Sequence, residues 1–192
     1  PAADGPPVAV PTWWIGYDQP VYAAWDGSWY ADFPSTAEMA MWYYNTGANP
    51  QSPVSAVLSI DVAGFEAILK ALGSVTLPAY DVVVTPDNFR EVVYDIRAFG
   101  EGETPHKQFV AALYRQILSD WQATVDPTVS NRLLGAILEA MQKKHIMLYF
   151  ADPNLNQAVE LLGWAGAQDM TTGHDYLLVA EANLGNKSNR SV

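Results

Sequence analysis

The stretch FREVVYDIRAFGEGETPHKQF carries three cations, Arg90, Arg97 and Lys107, that could together receive a phosphate or pyrophosphate. Arg90 and Arg97 are seven residues apart, so they share one face of any helix that continues that far. Lys107 falls in the first turn of the next expected helix, where free amide groups already favour anions. His106 and Gln108 flank it and add hydrogen-bonding capacity. Asp87, Glu91, Asp95, Glu101 and Glu103 lie in or beside the same stretch, so ordinary ion pairing competes with a binding role. A second candidate is DYLLVAEANLGNKS, where Asn183, Asn186 and Lys187 follow an expected strand directly. Ligands collect beyond the carboxyl ends of strands in open α/β sheets, and turn chemistry explains Asn and Gly there equally well.

Other chemistries lack their residues. The chain has no cysteine, which excludes disulfides, thiolate catalysis and Cys-based metal sites. It has no Gly-rich phosphate loop, no Walker-type lysine motif, no HExxH and no GxSxG. His106, His145 and His174 are far apart and have no metal-ligand spacing. Asp26 and Asp32 bound DGSWYAD, but the alternating oxygen ligands and closing Glu of a calcium loop are missing. Asn186 and Asn189 open two glycosylation-type sequons.

Ten Lys and Arg stand against 21 Asp and Glu, a formal net charge of -11 that excludes a broad phosphate-neutralising face for nucleic acid. The same balance disfavours adsorption to an anionic membrane surface. Hydrophobic residues make up 49% and charged residues 16%, the composition of a chain that buries a core. At 192 residues, a single domain spanning 1–192 is expected. No apolar run approaches the ~20 residues needed to span a bilayer, and no signal peptide is visible. The opening PAADGPPVAVP has the composition of a linker, so the chain is expected to be a fragment of a longer protein.

The elements that must position the candidate residues are marked by capping chemistry. Ser35 with Glu38 makes a capping box for a helix over about Thr36 to Asn45. Val54–Ile60 is an apolar strand, and Asp61 caps a short helix closed by Gly73. Strand material follows at Val75–Leu77 and Tyr80–Val84, too closely spaced for a crossover, which predicts antiparallel pairing. Thr85-Pro86, Thr104-Pro105 and Asp126-Pro127 each place a proline at a first helical position. Phe109, Leu113, Ile117 and Trp121 recur every four residues along the second of these helices. The third ends in Lys143, Lys144 and His145, which complements the helix dipole. His145–Phe150 is a strand, Asp152-Pro153 opens another helix through Leu162, and Asp175–Asn183 is a last apolar strand. Strands alternating with helices predict an α/β fold with a layered mixed sheet and helices on both faces.

The aromatic residues are unevenly spread. Trp13, Trp14, Tyr17, Tyr22, Trp25, Trp29, Tyr30, Phe33, Trp42, Tyr43 and Tyr44 crowd one segment. Rings at this density either plug into a core or form a contact surface for sugar or lipid. The expectation is a strap packed over one edge of the core, with Trp25, Trp29 and Trp42 mostly buried.

The segments DGSWYADFPSTAEMA, SIDVAGFEAILKALGSVTLP, VTPDNF, KKHIMLYF, LLGWAG and DYLLVAEANLGNKSN resemble, in this order, a bacterial domain-of-unknown-function family, number 4012. The resemblance runs from about Pro11 to the carboxyl end. It implies an extracytoplasmic, cell-envelope location, a membrane anchor elsewhere in the full-length protein, and no particular reaction. DVAGFEAILKALGSVTL with YDIRAFGEGETPHKQFVAALYRQIL also resembles the core of the LytR-CpsA-Psr phosphotransferases. Gly73-Ser74-Val75, Tyr94-Asp95-Ile96-Arg97 and Lys107-Gln108 occupy the comparable places. That likeness implies a LytR-CpsA-Psr-like core lacking its first strands. It also implies an envelope glycopolymer or a polyprenyl pyrophosphate lipid as partner. The expected function is a binding or scaffold module without a cofactor. The alternative is part of a phosphotransferase acting on polyprenyl-pyrophosphate-linked glycopolymers, with magnesium held by ligands from upstream sequence.

Overall fold

The computed structural model describes residues 7–8, 27–28, 30–47, 49–50 and 52–168, and the chain divides into two compact units. The first comprises 1–55 with 166–192, and the second comprises 56–165.

The described part of the first unit is built on α1 (Phe33–Thr46), which buries Phe33, Ala37 and Met39. Its cap is Asp32, not the expected Ser35. One Asp32 carboxylate oxygen accepts from the Ser35 amide at 3.0 Å and from the Ser35 hydroxyl at 2.6 Å. The other accepts from the Gln168 amide at 2.9 Å. The helix therefore starts one turn earlier than the Ser35–Glu38 pattern predicts, with Pro34 near its start where no amide hydrogen is needed. Burial pushes the Asp32 carboxyl up, but the Ser35 hydroxyl and the Gln168 and Ser35 amides outweigh it, and its pKa is lowered. After the helix, Asn45 clamps Val54 through both side-chain atoms, at 2.8 and 3.3 Å. Within the aromatic segment, Trp42 is half-buried and meets Tyr43 edge-on at 4.9 Å between ring centroids. Trp25 and Trp29 lie outside the described residues, as do the expected strand at Asp175–Asn183, His174, Asn183, Asn186 and Lys187.

The second unit runs β1 (Ala56–Ile60), α2 (Val62–Leu72), β2 (Val75–Leu77), a 3-10 turn at Pro78–Tyr80 and β3 (Val82–Val84). It continues through α3 (Phe89–Phe99), α4 (Pro105–Ala123), α5 (Pro127–Gln142), β4 (Ile146–Phe150) and α6 (Pro153–Leu161). The α/β content and the antiparallel pairing of the short strands are as expected. The layered mixed sheet is not what the described residues form. They make two separate two-stranded ladders, β1 with β4 and β2 with β3, both antiparallel. Val75 pairs with Val84 and Leu77 with Val82, a register dictated by the tight connection through Pro78–Tyr80.

The core of this unit gathers Phe65, Leu69, Val75, Val84, Phe89, Phe109, Leu113, Leu133 and Ile146. Phe109 is fully buried and receives Tyr80 edge-on at 5.1 Å. The four-residue period of α4 buries Phe109, Leu113 and Ile117 on one face. Asp126 and Asp152 cap α5 and α6 as the Asp-Pro pairs predict. The Thr85-Pro86 start is displaced: α3 begins at Phe89. Thr85 and Asn88 instead bond each other reciprocally, the Thr85 amide to Asn88 Oδ1 at 2.8 Å and the Asn88 amide to Thr85 Oγ1 at 3.3 Å. That exchange closes a turn over residues 85–88 before the helix can propagate.

Candidate functional site

Asp61 starts the construction. Its Oδ1 accepts from the Gly64 amide at 2.8 Å and caps α2, while its Oδ2 receives His145 Nδ1 at 2.8 Å. The Asp61 amide also donates to the His145 carbonyl at 3.0 Å. These bonds fix the amino end of α2 beside the carboxyl end of α5, so the two helices run alongside each other in opposite directions. A neutral His145 in this contact carries its proton on Nδ1, which leaves Nε2 as an acceptor.

The facing rows of the two helices are small: Ala63, Ala67 and Ala71 from α2, and Gly135, Ala136 and Ala140 from α5. Side chains of this size leave a groove of about 580 Å³, within the size range of ligand sites. A Cβ built on Gly135 meets nothing within 4 Å, so this glycine faces open space. Lys70, Arg132, Lys143, His145, Glu66 and Glu139 line the same groove.

The charges pair unevenly. Glu66 bonds Arg90 Nε at 2.6 Å, and Glu139 bonds Lys143 Nζ at 2.6 Å. Hydrogen bonding and charge from Glu66 raise the pKa of Arg90, and the same two effects from Lys143 lower that of Glu139. Both lining carboxylates are thus neutralised by a cation. Lys70 and Arg132 have no ion pair among the described residues. Glu66 stands one turn before Lys70 yet is drawn to Arg90 instead. Arg132 has Thr128, Val129, Gly135 and Ala136 at helical-neighbour spacing, none of them acidic. The groove therefore carries two surplus positive charges in a chain whose net charge is -11. Running the helices antiparallel from the Asp61–His145 clasp puts Lys70 and Arg132 towards the opposite end, about 14 Å along α2 from Asp61 and about 17 Å along α5 from Lys143 by helical rise.

The three expected cations do not line this groove. Arg90 reaches its rim only through Glu66. Arg97 sits in the last turn of α3 and Lys107 in the first turn of α4; both are exposed, and neither makes an ion pair among the described residues. Arg90 and Arg97 do share one helix, separated by about 10 Å along its axis. His106 Nδ1 is buried without a hydrogen-bond partner, whereas the neighbouring Lys107 is exposed. Among the described residues, no three or more His, Asp or Glu side chains converge to hold a metal ion, and no helix is long and apolar enough to cross a membrane.

The groove thus lies within an α/β unit and brings together cations from two helices, with the Asp61-held His145 also in its lining. Residues 11–96 match the family described as "Protein of unknown function (DUF4012)". The match ends within α3, short of the carboxyl-terminal extent that the resemblance implies. No curated protein and no solved structure matches the chain, and the likeness to the LytR-CpsA-Psr phosphotransferases has no counterpart in these comparisons.

Proposed function

We propose that the chain is an extracytoplasmic binding module of a bacterial cell envelope. It holds an envelope glycopolymer or a protein partner without chemical change, and the α2–α5 groove is its contact surface. The observation that carries this reading is the charge balance of the groove, where Lys70 and Arg132 are left over after Glu66 and Glu139 have been paired. The envelope location rests on the resemblance to the family of unknown function.

A second reading makes the chain part of a phosphotransferase acting on polyprenyl-pyrophosphate-linked glycopolymers. What favours it is the ion pair that joins Arg90 to Glu66 of the groove lining. In this reading magnesium would be held by ligands from upstream sequence.

The test is co-sedimentation of the whole chain with cell-wall material from the bacterium that carries it, combined with protease treatment of intact cells. Retention that falls as salt is raised, and that is lost in the charge-reversed Lys70→Glu, Arg132→Glu variant, is the expected result. Equal retention of wild type and variant, or full protease protection in cells with a permeable envelope, overturns the reading.

A further inference from the structure

We infer that the Lys70–Arg132 end of the groove is a site for a doubly charged phosphate group, a monoester or a pyrophosphate. The inference rests on the groove being the contact surface, and it names what the groove recognises. The argument begins from charge. Lys70 and Arg132, on different helices, make no ion pair among the described residues, while both lining carboxylates are already paired, Glu66 with Arg90 outside the groove and Glu139 with Lys143 inside it. A carboxylate neutralises one of these charges, whereas a phosphate monoester or pyrophosphate neutralises both through a single group.

Geometry supports the same class. Arg132 offers a planar fork of N–H donors and Lys70 a mobile ammonium, a combination suited to a tetrahedral oxyanion with several acceptor oxygens. Both side chains stand on regular helices capped at Asp61 and Asp126, so their backbones are held in place before a ligand arrives. The alanine floor leads from this end towards His145, with room for a slender remainder of the ligand. Gly135 lies beside that path and contributes no side chain to obstruct it.

The experiment is calorimetric titration of the full chain with inorganic pyrophosphate, glycerol phosphate and malonate at constant ionic strength. Four variants accompany the wild type: Lys70→Ala, Arg132→Ala, Gly135→Phe and the double variant Arg97→Ala, Lys107→Ala. Circular dichroism establishes that each is folded. Binding of both phosphates, weakened about tenfold or more by loss of either Lys70 or Arg132, is expected. Gly135→Phe should weaken it as well, because it fills the groove while leaving every charge in place. The Arg97→Ala, Lys107→Ala protein should bind as wild type does.

Failure of wild type to bind either phosphate overturns the inference, as does binding indifferent to Lys70 and Arg132. Loss confined to the Arg97→Ala, Lys107→Ala protein would move the site to the α3–α4 junction. Malonate binding as tightly as pyrophosphate would overturn the phosphate class. Wall retention without phosphate binding sinks this inference alone, whereas phosphate binding without wall retention sinks only the envelope reading.

Discussion

Two glycines sit inside helices of the second unit, and replacing each with alanine should change stability in opposite directions. Gly135 is in the middle of α5, and a Cβ added there touches nothing within 4 Å. Alanine at this position keeps every contact and restricts the unfolded chain, which should raise stability by about 0.5–1 kcal/mol. Gly64 is in the first turn of α2, where the propensity gain is smaller. Its Cβ would stand 2.8 Å from the His145 carbonyl oxygen and 2.9 Å from Ile60 Cγ1. The carbonyl has little freedom to retreat, because it accepts the Asp61 amide at 3.0 Å and belongs to the residue whose ring Asp61 holds. Overpacking of this kind costs about 1–3 kcal/mol and exceeds the helix gain. Urea denaturation of the three proteins measures both effects, and thermal midpoints should move by about 2–4 °C for each kcal/mol. The ring signals of His145 supply a second readout, since Gly64→Ala should disturb them and Gly135→Ala should not. Shifts of the same sign in both variants would refute the account of how α2 meets the β4 entrance.

Phe109→Ala removes a fully buried ring that packs against Tyr80, and it should destabilise by about 3–5 kcal/mol in the same denaturation assay. Asp32→Ala removes the α1 cap and should cost about 0.5–2 kcal/mol near neutral pH. The folded Asp32 carboxyl titrates below its ordinary value of 3.8, so its contribution is full above that value and fades as pH falls through the folded pKa. The gap between wild type and Asp32→Ala should therefore be constant from pH 7 to about 5 and narrow below about 4; a gap that stays flat to pH 2 rules this out.

Much of the second unit is legible because its punctuation is local. Asp126-Pro127 and Asp152-Pro153 start helices where they stand, since the cap and the proline act within a few residues. The same logic fails at Thr85-Pro86, where Asn88 competes for Thr85 and delays the helix by a turn. It fails also at Ser35, whose amide and hydroxyl both donate to Asp32, so that the helix is capped one turn earlier. Strand existence is legible at β1 and β4 from apolar runs. Their antiparallel partnership is not, because the two are some ninety residues apart and nothing local encodes which strand meets which.

The groove is illegible for a related reason. Alanine at three positions one turn apart is an ordinary helix face, and it becomes a floor only when a second helix presents Gly135, Ala136 and Ala140 to it. Charge pairing has the same non-local character. Helical spacing assigns Glu66 to Lys70, yet Glu66 bonds Arg90 from twenty-four positions away, and that exchange is what leaves Lys70 over. Arg90 is one of the three cations of the phosphate-binding pattern in the sequence, and in the fold it neutralises a carboxylate. By doing so it creates a surplus at a residue whose spacing gives no sign of it. The functional value of Arg90 is then indirect: Arg90→Ala would return Glu66 to Lys70 and should weaken anion binding at a groove that Arg90 does not line. Glu66→Gln should leave binding intact or strengthen it. Opposite responses to removing the two members of one ion pair are the signature of this arrangement, since a purely structural pair would make the two changes equivalent.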